Sequence, residues 1–268
     1  MPRRSRLDAE LVRRGLARSR DHASDLIAQG RVRVRGAAAT KAATGVSIEE
    51  AVTVIPAHDV EDYVSRGGHK LAGALTVFTP VGLRVEGRSA LDAGASTGGF
   101  TDVLLRGGAA AVTAVDVGYG QLAWSLRQDP RVTVLDRKNV RRLTSDDLPH
   151  RPELVVGDLS FISLTLVLPA LVAVADETAD LVLLVKPQFE VGKDRLGKGG
   201  VVREPALRVQ SVLTVAARAR EFGFGVQAMC PSPLPGPAGN VEYFVWLRKD
   251  APAIDPTQVE RVVCEGPQ

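Results

Sequence analysis

Leu91-Asp92-Ala93-Gly94-Ala95-Ser96-Thr97-Gly98-Gly99-Phe100-Thr101 reads as the end of a strand, a tight turn and the start of a helix. Phe100, Val103, Leu104 and Leu105 supply the helix with an apolar face. Glycine tolerates positive φ and lets a ligand approach the backbone, while free N–H groups and the helix dipole point at that ligand. The spacing narrows the choice of ligand. A dinucleotide fingerprint runs G-x-G-x-x-G, but Ser96 stands where its second glycine belongs. The pattern here, G-x-x-x-G-G after D-x-G, suits a nucleoside bearing a carboxylate and a sulfonium rather than a pyrophosphate. A purely structural turn would also satisfy these residues alone. Downstream, Ala111-Val112-Thr113-Ala114-Val115 forms a second strand ending at Asp116. A carboxylate there can accept both ribose hydroxyls of a nucleoside.

Around this corner the chain alternates strand and helix. Strands are expected at 89–93, 111–116, 131–135, 153–157, 180–185, 224–229 and 241–248, with a long helix near 205–221. That pattern predicts an α/β fold with a doubly wound, mostly parallel seven-stranded sheet. Such sheets bind ligands at the carboxyl ends of their strands, so polar residues that end apolar runs are the candidates. Asp158 ends Leu154–Gly157, Lys186 ends Leu181–Val185, and Glu242 precedes Tyr243–Leu247. An edge salt bridge would explain Glu242 equally well. Lys70, on a helix with Leu71 and Leu75, reads from its surroundings as solvent-exposed. Trp124 and Trp246 lie in apolar patterns that predict core positions, and Cys230 reads as a buried strand thiol.

Charge is distributed unevenly. Residues 1–60 hold 11 Lys/Arg against 7 Asp/Glu, whereas residues 61–268 hold 23 against 24, so the front carries the whole excess. An anionic polymer is the partner such asymmetry suits. A helix is expected over residues 7–15, and a second, capped by Ser19, ends at Gly30. Arg31-Val32-Arg33-Val34-Arg35 then alternates, placing valines in a core and arginines on the other face. Arginine's planar fork suits phosphate, although a solvated charged surface is the plainer reading. The two cysteines, Cys230 and Cys264, make neither a disulfide framework nor a metal cluster. No apolar stretch long enough to span a membrane is present, nor any secretory leader, so a cytoplasmic protein is expected.

Arg6-Leu7-Asp8, Leu11 to Leu16, Ser19-Arg20, Ala23, Leu26-Ile27 and Gly30 to Val34 resemble the S-four-type RNA-binding domain. Ser65 to Leu71, Leu91 to Thr101, Asp116 to Leu122, Asp158 to Leu164, Lys186 to Glu190 and Gly239 to Phe244 resemble the TlyA family. Its catalytic domain is similar to the FtsJ-type ribose methyltransferases, which have a Rossmann-like class I methyltransferase fold. The resemblance implies three segments: an RNA-binding domain at 1–60, a linker at 61–66 and a methyltransferase domain at 67–268. It also implies S-adenosylmethionine as cofactor, held by Asp92, Gly94, Ala95, Ser96, Thr97, Gly98, Gly99, Phe100, Asp116, Val117, Asn139 and Asp158, with no metal.

Lys70, Asp158, Lys186 and Glu242 fall on the family's Lys-Asp-Lys-Glu catalytic tetrad. RNA contacts are expected from Arg3, Arg4, Arg6, Arg18, Arg20, Arg31, Arg33, Lys41, Arg66 and His69. The implied reaction is 2′-O-methylation of cytidines in ribosomal RNA of both subunits, 16S and 23S, which affects sensitivity to cyclic-peptide antibiotics of the capreomycin and viomycin type. A ribose hydroxyl ionises far above neutral pH, so the reaction needs a base or strong alkoxide stabilisation. Lys186 can serve in either role. Relatives labelled haemolysins keep a cytolysin as the alternative, and a non-catalytic RNA-binding protein is the third possibility.

Overall fold

The computed structural model describes residues 4–17, 19–55, 63–236 and 238–267. The chain divides into two compact units, Met1–Arg66 and Gly67–Gln268.

The first unit contains β1 (Ser5–Arg6), α1 (Leu7–Arg13), α2 (Arg20–Ala28), β2 (Val32–Val34), β3 (Ala37–Ala38), β4 (Gly45–Val46) and β5 (Val52–Val54). β1 pairs with β4, and β2 lies between β3 and β5, all antiparallel. Ser19 caps α2 as its position suggests, its Oγ accepting the His22 N–H at 3.1 Å. Leu7, Leu11, Ala23, Val32 and Val46 are fully buried between the helices and strands. The alternating arginine stretch is shorter than expected. Arg35 turns out of the strand at φ +52, and its side chain bonds to Glu50.

The second unit is the α/β body. In chain order it contains α3 (Arg66–Phe78, which starts at the last residue of the first unit), β6 (Ser89–Ala93), α4 (Gly99–Arg106), β7 (Ala111–Val115), α5 (Trp124–Arg127) and β8 (Val132–Leu135). β9 (Leu154–Gly157), α6 (Leu168–Val174), β10 (Asp180–Val185), α7 (Pro187–Glu190) and α8 (Pro205–Arg220) follow. β11 (Phe224–Pro231), β12 (Tyr243–Lys249) and α9 (Pro256–Glu265) complete it. The seven strands run β11-β12-β10-β9-β6-β7-β8, parallel except that β12 is antiparallel to both its neighbours. Sequence order reverses at β6, which neighbours β9 on one side and β7 on the other. Crevices form at such a switch point.

Alternation along β12 fills both faces of the sheet. Tyr243, Val245 and Leu247 join the core that includes Val212, Val215 and Ala219 of α8. Phe244 and Trp246 point the other way, their rings 6.0 Å from Phe100 and 5.9 Å from Phe78. Each such side chain contributes about 1.5–3 kcal/mol through burial. Trp246 is therefore core, with its Nε1–H donated to Asp180 at 2.7 Å. Trp124 departs from expectation and is 73% exposed. α5 is a single turn that buries only Leu126, leaving the tryptophan on its outer side. Among the described residues, no helix is long and apolar enough to cross a membrane.

Candidate active site

At the carboxyl end of β6 the chain turns through Gly94 at φ +87 and Gly98 at φ +97. A Cβ on Gly94 would lie 2.8 Å from the backbone oxygen of Asp158, so the turn can lie against β9 only with glycine there. Gly98 is constrained differently: a Cβ would strike Leu126 at 2.3 Å and Leu122 at 2.7 Å. Its need for glycine comes from its positive φ and from packing against Leu122 and Leu126 rather than from ligand approach. Gly99 and Phe100 begin α4, Ala95 is buried, and Ser96 and Thr97 are exposed at the lip of the turn.

Asp116, just beyond β7, organises this lip. One carboxylate oxygen accepts the Ser96 N–H at 2.8 Å and the other the Gly118 N–H at 2.7 Å. Each oxygen retains a further lone pair. Val117 is 68% exposed beside it. Asn139 is exposed after β8, where its side chain accepts the Arg141 N–H at 3.0 Å. Asp92 is fully buried. Its Oδ2 accepts from the Thr101 hydroxyl at 2.7 Å, whereas its Oδ1 has no hydrogen-bond partner among the described residues. Burial pushes its carboxyl up to about 7, opposed by the bonds from Thr101 and reinforced by Asp158 and Asp116. A buried orphan acceptor beneath a glycine turn, with a carboxylate at the neighbouring strand end, fits a nucleoside carrying a charged amino-acid group.

Lys70, Asp158, Lys186 and Glu242 form two ion pairs. Lys70, only 4% exposed, places its Nζ 2.5 Å from Glu242 Oε2. Lys186 Nζ lies 2.5 Å from Asp158 Oδ1 and donates its hydrogen bond to Ser160 Oγ at 3.0 Å. Gln188, two residues beyond Lys186, donates from Nε2 to Glu242 Oε1 at 3.3 Å. Asp158 also borders the glycine turn, its backbone N–H donated to Ala93. Lys70 is buried, not solvent-exposed as its helix pattern suggested, because it pairs with Glu242 while Phe78 of the same helix packs on Trp246 of β12. Glu242 precedes the strand instead of lying within it.

Three nearby side chains were missed by sequence reasoning. Ser160 and Gln188 lie inside stretches that carry the family resemblance, but nothing in their spacing distinguishes them from their neighbours. Phe161 is 92% exposed at φ +63, with its ring 5.4 Å from Phe189. A bulky residue with positive φ is uncommon and strained. Its signal in sequence would be an aromatic immediately after the strand-end Asp158-Leu159-Ser160.

In the first unit the arginines are braced by carboxylates. Asp8 accepts from Arg6 at 3.0 Å and Arg20 at 2.9 Å, and Glu10 pairs with Arg13 and Arg14. Glu50 holds Arg4 at 3.2 Å and Arg35 at 2.6 Å. The Arg6 guanidinium holds the Asp8 carboxyl well below its usual range, and Arg13 lowers Glu10 to about 2. These carboxylates are buried while Arg4, Arg6 and Arg20 remain more than half exposed, so the acids orient the forks without covering them. Arg31 and Arg33 donate to backbone oxygens of Ile55 and Gly36. Lys41 and Arg66 are exposed, and His69 is half-buried on α3. Arg3 and Arg18 lie outside the described residues, as do positions 61 and 62 of the expected linker.

Residues 63–249 match the FtsJ-like methyltransferase model, and residues 5–52 match the S4 domain. The chain is 58% identical over 273 residues, spanning all of both proteins, to the 16S/23S rRNA (cytidine-2'-O)-methyltransferase TlyA of Mycobacterium tuberculosis. It is 41% identical to the putative rRNA methyltransferase YqxC of Bacillus subtilis, covering 91% of this chain and 86% of that one. A solved putative hemolysin from Streptococcus thermophilus superposes with a TM-score of 0.78 at 38% identity, covering 99% of this chain and 96% of the other. The chain belongs to the FtsJ-like methyltransferase family and bears an S4 domain at its front.

Proposed function

We propose that the protein is an S-adenosylmethionine-dependent 2′-O-methyltransferase acting on cytidines of ribosomal RNA, in both 16S and 23S RNA. The observation that supports it most is the pairing of Lys70 with Glu242 and of Lys186 with Asp158 beside the glycine turn. The cofactor supplies an electrophilic methyl group when bound. Asp116 would hold its ribose, the Gly94–Gly98 turn and Asp92 would receive its amino-acid end, and Val117 and Asn139 would flank its adenine.

Lys186 is the amine that serves the acceptor oxygen. As a base it removes the hydroxyl proton; as an ammonium it stabilises the developing alkoxide. Asp158 and Ser160 orient that amine, and the Lys70–Glu242 pair with Gln188 fixes the opposite wall. Phe161 offers an exposed ring face on which a base can stack. The oriented arginines of the S4 domain contact phosphates, and such a substrate places the enzyme in the cytoplasm. A buried ion pair that loses one partner leaves the other uncompensated.

The test is transfer of labelled methyl groups to purified ribosomal subunits, alongside calorimetry of cofactor binding. Lys186→Ala should bind cofactor as the wild type does and lose transfer. Lys186→Arg, which retains a cation but provides no base, should keep measurable transfer only in the alkoxide-stabilising role. Unchanged transfer by Lys186→Ala would remove this lysine from the chemistry.

A further inference from the structure

One carboxylate near the ion pairs has no part in the chemistry described above. Glu190, at the end of α7, accepts the Ser163 hydroxyl at 2.6 Å through Oε2 and the Leu164 N–H at 2.8 Å through Oε1. Ser163 in turn caps the turn that follows, its Oγ accepting the Thr165 N–H at 3.1 Å. Burial raises the Glu190 carboxyl above its ordinary range, and the two bonds oppose that shift. Even partial burial of a carboxylate is costly unless it is hydrogen-bonded, and both oxygens here are.

The loop 158–164 and the turn 186–190 are joined at three successive points. Lys186 meets Asp158 and Ser160, the Phe189 ring meets Phe161, and Glu190 meets Ser163 and Leu164. The first junction uses the amine assigned to the chemistry. The second involves an exposed ring whose backbone is in a strained conformation. The third alone ends on backbone, through the Leu164 N–H, and uses neither the amine nor the exposed ring.

We propose that Glu190 is a positioning residue for methyl transfer, its carboxylate clamping the Asp158–Leu164 loop to the Lys186–Glu190 turn so that Lys186 and Phe161 keep their register. With its two oxygens taken by Ser163 and Leu164, it acts through Lys186 and Phe161 rather than on the reacting atoms. The inference rests on the reading of Lys186 as the catalytic amine. A misplacement of about 1 Å at reacting groups costs on the order of 100-fold in rate.

Glu190→Ala, Glu190→Gln and Ser163→Ala are compared in the full chain by turnover on ribosomal subunits, calorimetry of cofactor binding, and hydrogen exchange at the Leu164 amide. Glu190→Ala should lower kcat by about 10- to 100-fold, leave cofactor affinity unchanged and accelerate Leu164 exchange. Glu190→Gln keeps an acceptor for the Leu164 N–H, and the Ser163 hydroxyl can reverse to accept from its amide, so it should recover most of the rate. Ser163→Ala should slow the wild-type background and add little to Glu190→Ala, the signature of a shared interaction. Unchanged kcat, additive losses, or loss of cofactor affinity in parallel with turnover would overturn the proposal. Wild-type protein that transfers no methyl group would refute the functional reading instead. Leu164 exchange would then still decide the clamp: protection that survives Glu190→Ala overturns it.

Discussion

Asp92 shows how much can rest on one buried carboxyl. Its ordinary value is 3.8, and burial raises it to about 7 in the folded protein. Between those values the unfolded chain releases the proton while the folded chain keeps it, so stability falls as pH rises through that window. Asp92→Asn should remove this part of the slope, measured as thermal unfolding at intervals from pH 4 to pH 7 without cofactor. An identical slope in the variant would mean that Asp92 titrates normally. Asp92 was legible in sequence because it ends a strand and opens a glycine turn. The place of Lys186 was legible for the same kind of reason, since a charge that ends the apolar run Leu181–Val185 falls at the carboxyl end of a buried strand. Lys70 was not: its burial is created by a partner 172 residues away, Glu242, and no local pattern records it. Phe161 and Trp124 were hidden in the opposite sense, as large apolar side chains that the fold leaves at the surface.

For whole elements, the register of α4 against α5 depends on Gly98. The residue has φ +97 at the helix N-cap, and the side chains of Leu122 and Leu126 occupy the space a Cβ would need. Gly98→Ala should destabilise the second unit by about 1–3 kcal/mol from backbone conformation alone, with the leucine clashes adding to that. Urea unfolding measures the loss, and a variant as stable as wild type would show that the turn can repack. The strand-helix alternation revealed the parallel sheet because periodicity and apolar content agree along β6, β7, β9 and β10. It could not show that β12 inserts antiparallel between β10 and β11, because a hairpin pairing depends on tertiary partners. The alternation of arginine and valine likewise runs past the end of β2, where Arg35 leaves the strand to reach Glu50.

At the scale of the whole molecule, the excess positive charge belongs to the first unit, where buried Asp8, Glu10 and Glu50 set the arginine forks. Replacing Arg4, Arg6 and Arg20 together with alanine removes three outward cations. Binding to ribosomal RNA should weaken, and the slope of log affinity against log salt should become shallower by up to about 0.9 for each phosphate no longer neutralised. An unaltered slope would show that RNA docks elsewhere. Composition was enough to locate this charge, because the imbalance between residues 1–60 and the rest is plain in the sequence. It could not show that each buried acid braces two arginines, a relation between residues that meet only in the fold.

The proposed activation of a sugar oxygen by paired lysines and carboxylates is tested most directly by the atom that receives the methyl group. Ribosomal RNA from subunits treated with the protein and S-adenosylmethionine can be digested to nucleosides and resolved by mass spectrometry. The new methyl mass should reside on the ribose of cytidine and be absent after treatment with Lys186→Ala. A methyl group on the base, or ribose methylation that persists without Lys186, would contradict it.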